Sequence, residues 1–409
     1  MTASSPPARR GFLTGAALGA WLALGAACTG DRREAPPSPA PPRFEGLVPS
    51  WAVDLNSHPE DDGALAPELR RLVVLNAWEL PRLRAVKRAS PATSVLVYKD
   101  MSSVRSYPGA LDDGRDAALL PTGVGFAEAE AIDPGWFLLD AAGARLEWDD
   151  HPGHWHVDVG DEDYQSTWLR NVSREVAAGG WDGVMIDNAL SRADLYTPGR
   201  PPARYPDDQA LRAATRSFLA RVGPALRDGE GVVVHANIGD SRLAPGLWLD
   251  WGGLLSGPVE ENFVTFAAGD GYGRLLDDVD SGWRRQVDQL HEAEAAGLVP
   301  LVNAKGDPGD TAQLQFALAS FLLATDGTGL FSYTPGTWLP DHDLGRPEGA
   351  YSRMANGVYS RVFEHGRVLV NPGAAAAAVD LQRPHVDLSG ARVTAVDLPS
   401  GTGAVLRPA

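Results

Sequence analysis

The segment Trp181-Asp182-Gly183-Val184-Met185-Ile186-Asp187-Asn188 joins a short apolar run to a carboxylate and an amide. Such a run is typical of a strand buried in a parallel sheet. A second segment, Ser256-Gly257-Pro258-Val259-Glu260-Glu261-Asn262-Phe263, brings two more carboxylates to the expected end of another strand. In a barrel of parallel strands, the carboxyl ends of the strands form the face where active sites lie. We therefore expect Asp187 and a carboxylate of the second segment to meet at that face.

Apolar runs alternate with amphipathic stretches along most of the chain, which is typical of repeated β–α units. The pattern predicts an α/β fold, a (β/α)8 TIM barrel over residues 46–358. Short strand patterns separated by turns then predict a small C-terminal antiparallel β module over residues 359–409. The eight predicted barrel strands are residues 47–54, 72–76, 94–98, 183–187, 231–236, 252–256, 299–303 and 329–333.

One predicted connection, residues 99–156, is much longer than the others. Loops of this length without structure are uncommon in compact domains unless they bind something. Residues 136–140 and 145–148 flank Ala141-Ala142-Gly143, which predicts a hairpin inside the connection. Trp136 and Trp155 are candidate substrate contacts, because aromatic faces stack on the apolar faces of sugar rings.

The first 28 residues have the features of an export signal. Arg9-Arg10 is a twin-arginine pattern followed by a short apolar stretch, and small residues precede Cys28. This arrangement is similar to a lipobox, although Leu24 lies one position further from the cysteine than usual, so Cys28 is the candidate lipid attachment site. Residues 29–45 are rich in proline and predict an extended, disordered tether. We expect an exported, extracytoplasmic lipoprotein bound to a membrane through Cys28.

The formal net charge is −17, and loss of the two leader arginines with the signal makes the remaining chain more acidic. An acidic surface opposes nucleic acids and anionic polymers and tolerates neutral or cationic glycans. Cys28 is the only cysteine, so no intrachain disulfide can support the fold. We expect a carbohydrate substrate, no nucleic-acid partner, no cofactor and a monomer.

Polar residues recur where the predicted barrel strands end. Unpaired charge is costly at such a position, so these groups must bond to one another or face water in a cleft. Together they predict a polar pocket. With the two tryptophans above, the candidate substrate-binding residues are Asp54, Lys99, Asn188, His235, Asn237, Glu260, Asn303 and Tyr333.

The two opening segments and the closing stretch Arg361–Pro372 resemble hypothetical glycosyl hydrolase family 15, a relative of the endo-α-1,4-polygalactosaminidases. The resemblance spans residues 44–372. It implies a TIM barrel in which Asp187 is the nucleophile or base and Glu261 the general acid. Two departures are Pro258, where the family has a branched apolar residue, and Glu260, which adds an acid. Glu260 therefore stays an alternative to Glu261, although the spacing to Asn262-Phe263 favours Glu261.

Two other functions are consistent with the sequence. His151, His154, His156 and Asp158 lie close together, and residues two apart in a strand share one face, as metal ligands can. A metal-dependent hydrolase is therefore a rival, although the resembled families bind no catalytic metal in that region, and we expect none here. A degenerate barrel that binds glycans without hydrolysing them is the other alternative.

Overall fold

The computed structural model describes residues 48–55, 69–269, 271–277, 279–307, 309–334 and 344–409. The predicted signal, the tether and Cys28 lie outside the described residues. No helix in the described ranges is both long enough and apolar enough to cross a bilayer.

Eight parallel strands form one sheet in which sequence order and spatial order agree. The last strand also approaches the first, because Ser50 forms a parallel bridge with Phe331. The sheet therefore closes on itself, and the predicted barrel is confirmed. Its strands are β1 Trp51–Asp54, β2 Leu72–Leu75, β3 Ser94–Asp100, β4 Gly183–Asp187, β5 Val233–Asn237, β6 Gly257–Glu260, β7 Leu301–Lys305 and β8 Leu330–Thr334.

The barrel interior is packed with side chains. A cluster separate from the outer core contains a residue of every strand, because successive side chains point to opposite faces of a sheet. The indole of Trp51 lies in this cluster and donates a hydrogen bond to the carbonyl of Val302 at 3.0 Å. The members of the cluster, fully or partly buried, include Trp51, Leu72, Val74, Leu96, Met185, Val233, Val259, Leu301 and Leu330.

Helices cover the outside of the barrel between the strands. The described helices are α1 Leu80–Ala89, α2 Phe126–Ile132, α3 Glu162–Gly179, α4 Asp208–Pro224, α5 Leu247–Gly252, α6 Trp283–Ala295 and α7 Thr311–Ala324. Asp161 caps α3 by accepting hydrogen bonds from the first backbone N–H groups, as its position before the helical pattern predicts. The buried faces of these helices form the outer core with the outward side chains of the strands.

The sixth strand differs from its prediction. Residues 252–256 are the end of α5 and the turn after it, and β6 begins at Gly257. A Cβ on Gly257 would lie 2.1 Å from the carbonyl oxygen of Val299, so only glycine allows the two strands to approach this closely. Pro258 lies within β6 although it has no backbone N–H to donate to the strand ladder.

The long connection after β3 is an ordered substructure. Ser103–Arg105 pairs with His154–His156 in a short antiparallel sheet. Leu139 bridges Arg145, which confirms the hairpin predicted from residues 136–148. This substructure lies after the end of β3 and therefore at the same end of the barrel as the polar strand ends.

A six-stranded antiparallel sheet follows the barrel. Its strands are β9 Ser352–Arg353, β10 Tyr359–Phe363, β11 Gly366–Asn371, β12 Ala377–Val386, β13 Arg392–Leu398 and β14 Thr402–Pro408. The sheet begins seven residues before the predicted boundary at 359. It packs on α7, where a Cβ on Gly403 would lie 2.7 Å from the Cβ of Ala319.

Arg361 connects this sheet to the barrel. Its buried guanidinium donates to the carbonyls of Leu323 at 3.0 Å and Thr325 at 2.6 Å, at the carboxyl end of α7, and pairs with Asp326. These carbonyls have no partner within the helix, and a cation at this end also complements the helix dipole.

Arg361→Ala is expected to lower the free energy of unfolding by about 3 kcal/mol, because buried carbonyls lose their donor. Urea unfolding followed by circular dichroism measures this change. The matched control is Arg383→Ala, an exposed arginine of the same sheet, which should change stability by less than about 0.5 kcal/mol. Equal stability of the two variants would contradict this role of Arg361.

Candidate active site

Strand alternation decides which polar side chains reach the mouth of the barrel. In β4, Val184 and Ile186 belong to the outer core and Met185 to the interior cluster, so Asp187 points inward at the strand end. The same alternation turns Asn237 inward from β5 and Lys305 inward from β7.

Asp187 is held by several hydrogen-bond donors. Its Oδ1 accepts from the side chain of Asn237 at 3.0 Å and from the backbone N–H of Asn188 at 2.8 Å. Its Oδ2 accepts from the hydroxyl of Tyr98 and from the side chain of Asn188. Burial and the nearby charge of Asp100 raise the pKa of Asp187, and the hydrogen bonds from these donors oppose that rise. The bonds also fix the carboxylate in one orientation.

Asn188 adopts a left-handed backbone conformation, with φ of +58°. Asparagine tolerates this region better than most residues. Its side-chain nitrogen donates to Asp100, and its side-chain oxygen accepts from the hydroxyl of Tyr196 at 2.6 Å. Asp100 is itself neutralised by a buried ion pair with Arg105 at 2.8 Å. Hydrogen bonds of Asn188 therefore connect Asp187 to Asp100 and Tyr196.

Glu261 follows β6 directly and lies on the same side of the sheet as Asp187. 48% of the Glu261 side chain is solvent accessible, and the surrounding protein still partly desolvates its carboxyl group. Burial raises the pKa of Glu261, and the charge of Asp187 adds to this rise. Lys305, whose ammonium lies 3.7 Å from the Glu261 carboxylate, and the Asn237 amide oppose it.

Asn237 joins the two carboxylates. Its amide group bonds to Asp187 and also interacts with Glu261, lowering the pKa of the latter. The side-chain oxygen of Asn237 is buried and accepts no hydrogen bond from the described residues. The Asp187–Asn237–Glu261 group is therefore one site, with a free acceptor inside it.

Glu260 points away from this site. Val259 belongs to the interior cluster, so Glu260 faces the outside of the sheet, where it is buried and accepts a hydrogen bond from the backbone of Asn262 at 2.9 Å. Burial raises the pKa of Glu260 to about 7. Of the two glutamates, Glu261 therefore shares the inward face with Asp187 and Glu260 does not.

Three further candidates also lie outside the mouth. Lys99 points from β3 toward the helices, is fully buried, and pairs with Glu175 of α3 at 2.7 Å. Tyr333 belongs to the outer core, packed so tightly on Gly306 that a Cβ there would lie 1.9 Å from its hydroxyl. Trp136 is buried with its ring edge-on to Tyr164. Sequence position alone did not reveal which way these side chains point.

The other candidates occupy different depths. His235 lies inside the barrel and donates from Nδ1 to the carbonyl of Gly257 at 3.0 Å, and burial lowers its pKa to about 4, so the ring is neutral. Asn303 is buried next to Thr334, which donates to it at 3.1 Å. Trp155 is half-buried and donates to Ser106 at 2.7 Å. Asp54 ends β1, but its side chain lies outside the described residues.

Two tyrosines at the site were not predicted. Tyr98 lies one residue before Lys99 and bonds to Asp187. The alternation of the predicted strand indicates this inward position, since Tyr98 and Leu96 share a face. Tyr196 lies on the connection between β4 and α4, where no periodicity in the sequence identifies it.

The four residues of the rival metal site adopt other roles. His154 and His156 share one face of their strand, as predicted, but both rings pack against Trp148, with centroids 5.3 and 5.5 Å away. Burial lowers the pKa of each ring to about 3. Asp158 pairs with Arg204 at 2.7 Å. Among the described residues, no group of three or more histidine, cysteine, aspartate and glutamate side chains is arranged to hold a metal ion.

Sequence and structure comparisons give one family and several similar folds. The model of hypothetical glycosyl hydrolase family 15 matches residues 87–367, more than half of the chain and both carboxylates. None of the curated proteins matches the sequence.

Among solved structures, the glycoside hydrolase domain of PelA from Pseudomonas aeruginosa is 16% identical, with a TM-score of 0.45 over 72% of this chain and 98% of that chain. The noncanonic maltogenic alpha-amylase AmyB from Thermotoga neapolitana is 10% identical, with a TM-score of 0.48 over 87% and 95%. These proteins are what the chain is similar to, and at such TM-scores they assign no activity to it.

The raised pKa of Glu260 predicts a pH effect on stability. The folded chain binds this proton more tightly than the unfolded chain, whose glutamate pKa is about 4.3, so the stability it contributes is present below that value and is lost as the pH rises to about 7. As the pH rises between these two values, the wild type should therefore lose about 3 kcal/mol of stability through this carboxyl group. Glu260→Gln should not show this loss.

Urea unfolding at a series of pH values measures this difference. Glu230→Gln, at an exposed position, is the control and should follow the wild type. A Glu260→Gln curve parallel to the wild-type curve would show that burial does not perturb this carboxyl.

Proposed function

The chain belongs to hypothetical glycosyl hydrolase family 15, and we propose that it hydrolyses glycosidic bonds with Asp187 and Glu261 as its carboxylate pair. The observation that carries the proposal is that Asp187 and Glu261 act on each other at the carboxyl end of the barrel strands, where Asn237 donates to Asp187 at 3.0 Å and also lowers the pKa of Glu261. Glycoside hydrolases place their two carboxylates about 5–9.5 Å apart on either side of the bond that breaks.

The surroundings of the two groups favour different roles. Asp187 accepts hydrogen bonds from Tyr98, Asn188 and Asn237, which stabilise the ionised form that a nucleophile or base requires. Burial raises the pKa of both groups, but Glu261 has fewer hydrogen-bond donors than Asp187; Lys305 lowers the pKa of Glu261 and the charge of Asp187 raises it. Glu261 is therefore the general acid that protonates the leaving oxygen, and Asp187 attacks the sugar or activates water.

The position of Lys305 is consistent with this assignment. Its ammonium, 3.7 Å from Glu261, stabilises the carboxylate that remains after the proton has been transferred. Burial therefore holds the proton on Glu261, and Lys305 favours its release. A general acid needs such a balance, because its pKa should lie near the working pH.

Export and lipid attachment form the second part of the proposal. The twin-arginine pattern, the apolar stretch and the small residues before Cys28 support an extracytoplasmic lipoprotein whose proline-rich tether separates barrel and membrane. The substrate is then a glycan outside the cytoplasm, and the acidic net charge favours a neutral or cationic one.

Substitutions at the two carboxylates should affect hydrolysis differently. Asp187→Asn is expected to lower kcat/KM by about a thousandfold or more on every substrate, because no nucleophile or base remains. Glu261→Gln should cause a comparable loss on 4-nitrophenyl glycosides and a much smaller one on 2,4-dinitrophenyl glycosides, whose leaving groups need little protonation. A screen of aryl glycosides and extracted exopolysaccharides identifies the substrate first.

Glu260→Gln is the matched control, since this neighbouring carboxyl faces away from the site, and it should retain wild-type turnover. Turnover that survives in both Asp187→Asn and Glu261→Gln would refute the assigned pair. Binding of glycans by the wild type without hydrolysis of any would favour the alternative of a glycan-binding lipoprotein.

Cys28→Ala is expected to abolish lipid attachment, because the thiol is the only acceptor that the lipobox-like segment offers. Metabolic labelling with radioactive palmitate and partitioning into Triton X-114 measure the effect in the expressing cell. The wild type should carry label and enter the detergent phase, while the variant should do neither. An unlabelled wild type would indicate ordinary cleavage of the signal instead.

A further inference from the structure

Tyr196 and Trp148 form a stacked pair beside the carboxylates. Their ring centroids lie 3.8 Å apart and their planes differ by only 10°. Trp148 is buried, whereas Tyr196 is partly exposed. Since the indole covers one face of the phenol ring, any exposed ring surface of Tyr196 lies on its other face and its edges.

The pair is fixed to the catalytic group by polar contacts. The Tyr196 hydroxyl donates to the Asn188 side chain, which in turn bonds to Asp187 and Asp100. The charges of Asp187, Asp100 and Glu261 all act on Tyr196, so its ring lies near both carboxylates. The guanidinium of Arg105, which pairs with Asp100, lies 5.2 Å from the centroid of Trp148.

Two histidine rings also lie near Tyr196, and neither stacks parallel to it. His151 meets the Tyr196 ring at 73°, with centroids 5.9 Å apart, and His156 is tilted at 6.4 Å. Among the described residues, Trp148 is the only ring that stacks parallel to Tyr196. Burial lowers the pKa of His151, His154 and His156, so this surround is uncharged at neutral pH.

We propose that the open face of Tyr196, supported from behind by Trp148, is the stacking platform for the sugar ring that lies against the carboxylate pair. The proposal rests on the proposed glycosidase function and adds a binding residue to it. The ligand chemistry is a pyranose ring whose axial C–H groups form an apolar face, because such a face packs on an aromatic ring. The hydrogen bond to Asn188 keeps the ring plane at a fixed angle to Asp187.

Three variants test the platform. Tyr196→Ala removes the ring and should raise KM about tenfold, a change typical of the loss of one aromatic contact. Tyr196→Phe keeps the ring and removes the hydroxyl, so KM should stay close to the wild-type value while kcat falls as Asn188 loses a partner. Tyr107→Ala is the control, because Tyr107 contacts His154 in the same substructure but has no contact with Tyr196.

A binding experiment separates this inference from the proposed function. Saturation-transfer difference NMR with glucose, galactose, galactosamine and N-acetylglucosamine should show transfer to ring protons for the wild type, Tyr196→Phe and Tyr107→Ala, and none for Tyr196→Ala. Binding that depends on Tyr196 without hydrolysis by the wild type would refute the catalytic proposal and keep the platform. Hydrolysis and sugar binding that are unchanged in Tyr196→Ala would overturn the platform alone. A wild type that neither binds nor hydrolyses any sugar would overturn the platform and the proposed function together.

Discussion

The alternation of side chains in a closed parallel barrel is the constraint on which the whole site depends. Each strand sends one set of residues into the barrel and the other toward the helices, and closure between β1 and β8 leaves no strand free to shift by one position. The interior cluster fixes the register, because one of its apolar side chains comes from each strand. Asp187, Asn237 and Lys305 reach the mouth for this reason, and Lys99, Glu260 and Tyr333 cannot.

The second constraint is the set of hydrogen bonds that surrounds Asp187. A carboxylate at a buried strand end is costly unless donors surround it, and four hydrogen bonds from three residues do so here. One of these donors, Asn188, has a left-handed backbone and is fixed in turn by Asp100 and Tyr196. Strain of this kind persists only where the surroundings determine the residue completely, and it concentrates at functional sites.

Much of the candidate site was accessible from local patterns. Asp187, Asn188 and Asn237 were predicted because polar residues end apolar runs, and that is how the structure presents them. The same reasoning selected Lys99 and Tyr333, which also end apolar runs but occupy the other parity of their strands. Neighbouring residues of a strand point to opposite faces, so an error of one residue at a strand end assigns a side chain to the wrong face. Predictions from the sequence are therefore least secure at strand ends. The sixth strand, predicted at residues 252–256 and found at 257–260, is the clearest case.

The sequence by itself determined the fold class, the order of the strands, the C-terminal sheet and the position of Asp187 at the end of the fourth strand, because repeated hydrophobic periods and turn residues are local signals. Only the tertiary structure decided that Glu261 rather than Glu260 shares the inward face with Asp187, that Asn237 donates to Asp187, and that Tyr196 stacks on Trp148 beside them. These facts depend on barrel register and on a long connection that folds back over the mouth. Residues 48 positions apart, such as Trp148 and Tyr196, meet through packing that no short stretch of sequence encodes.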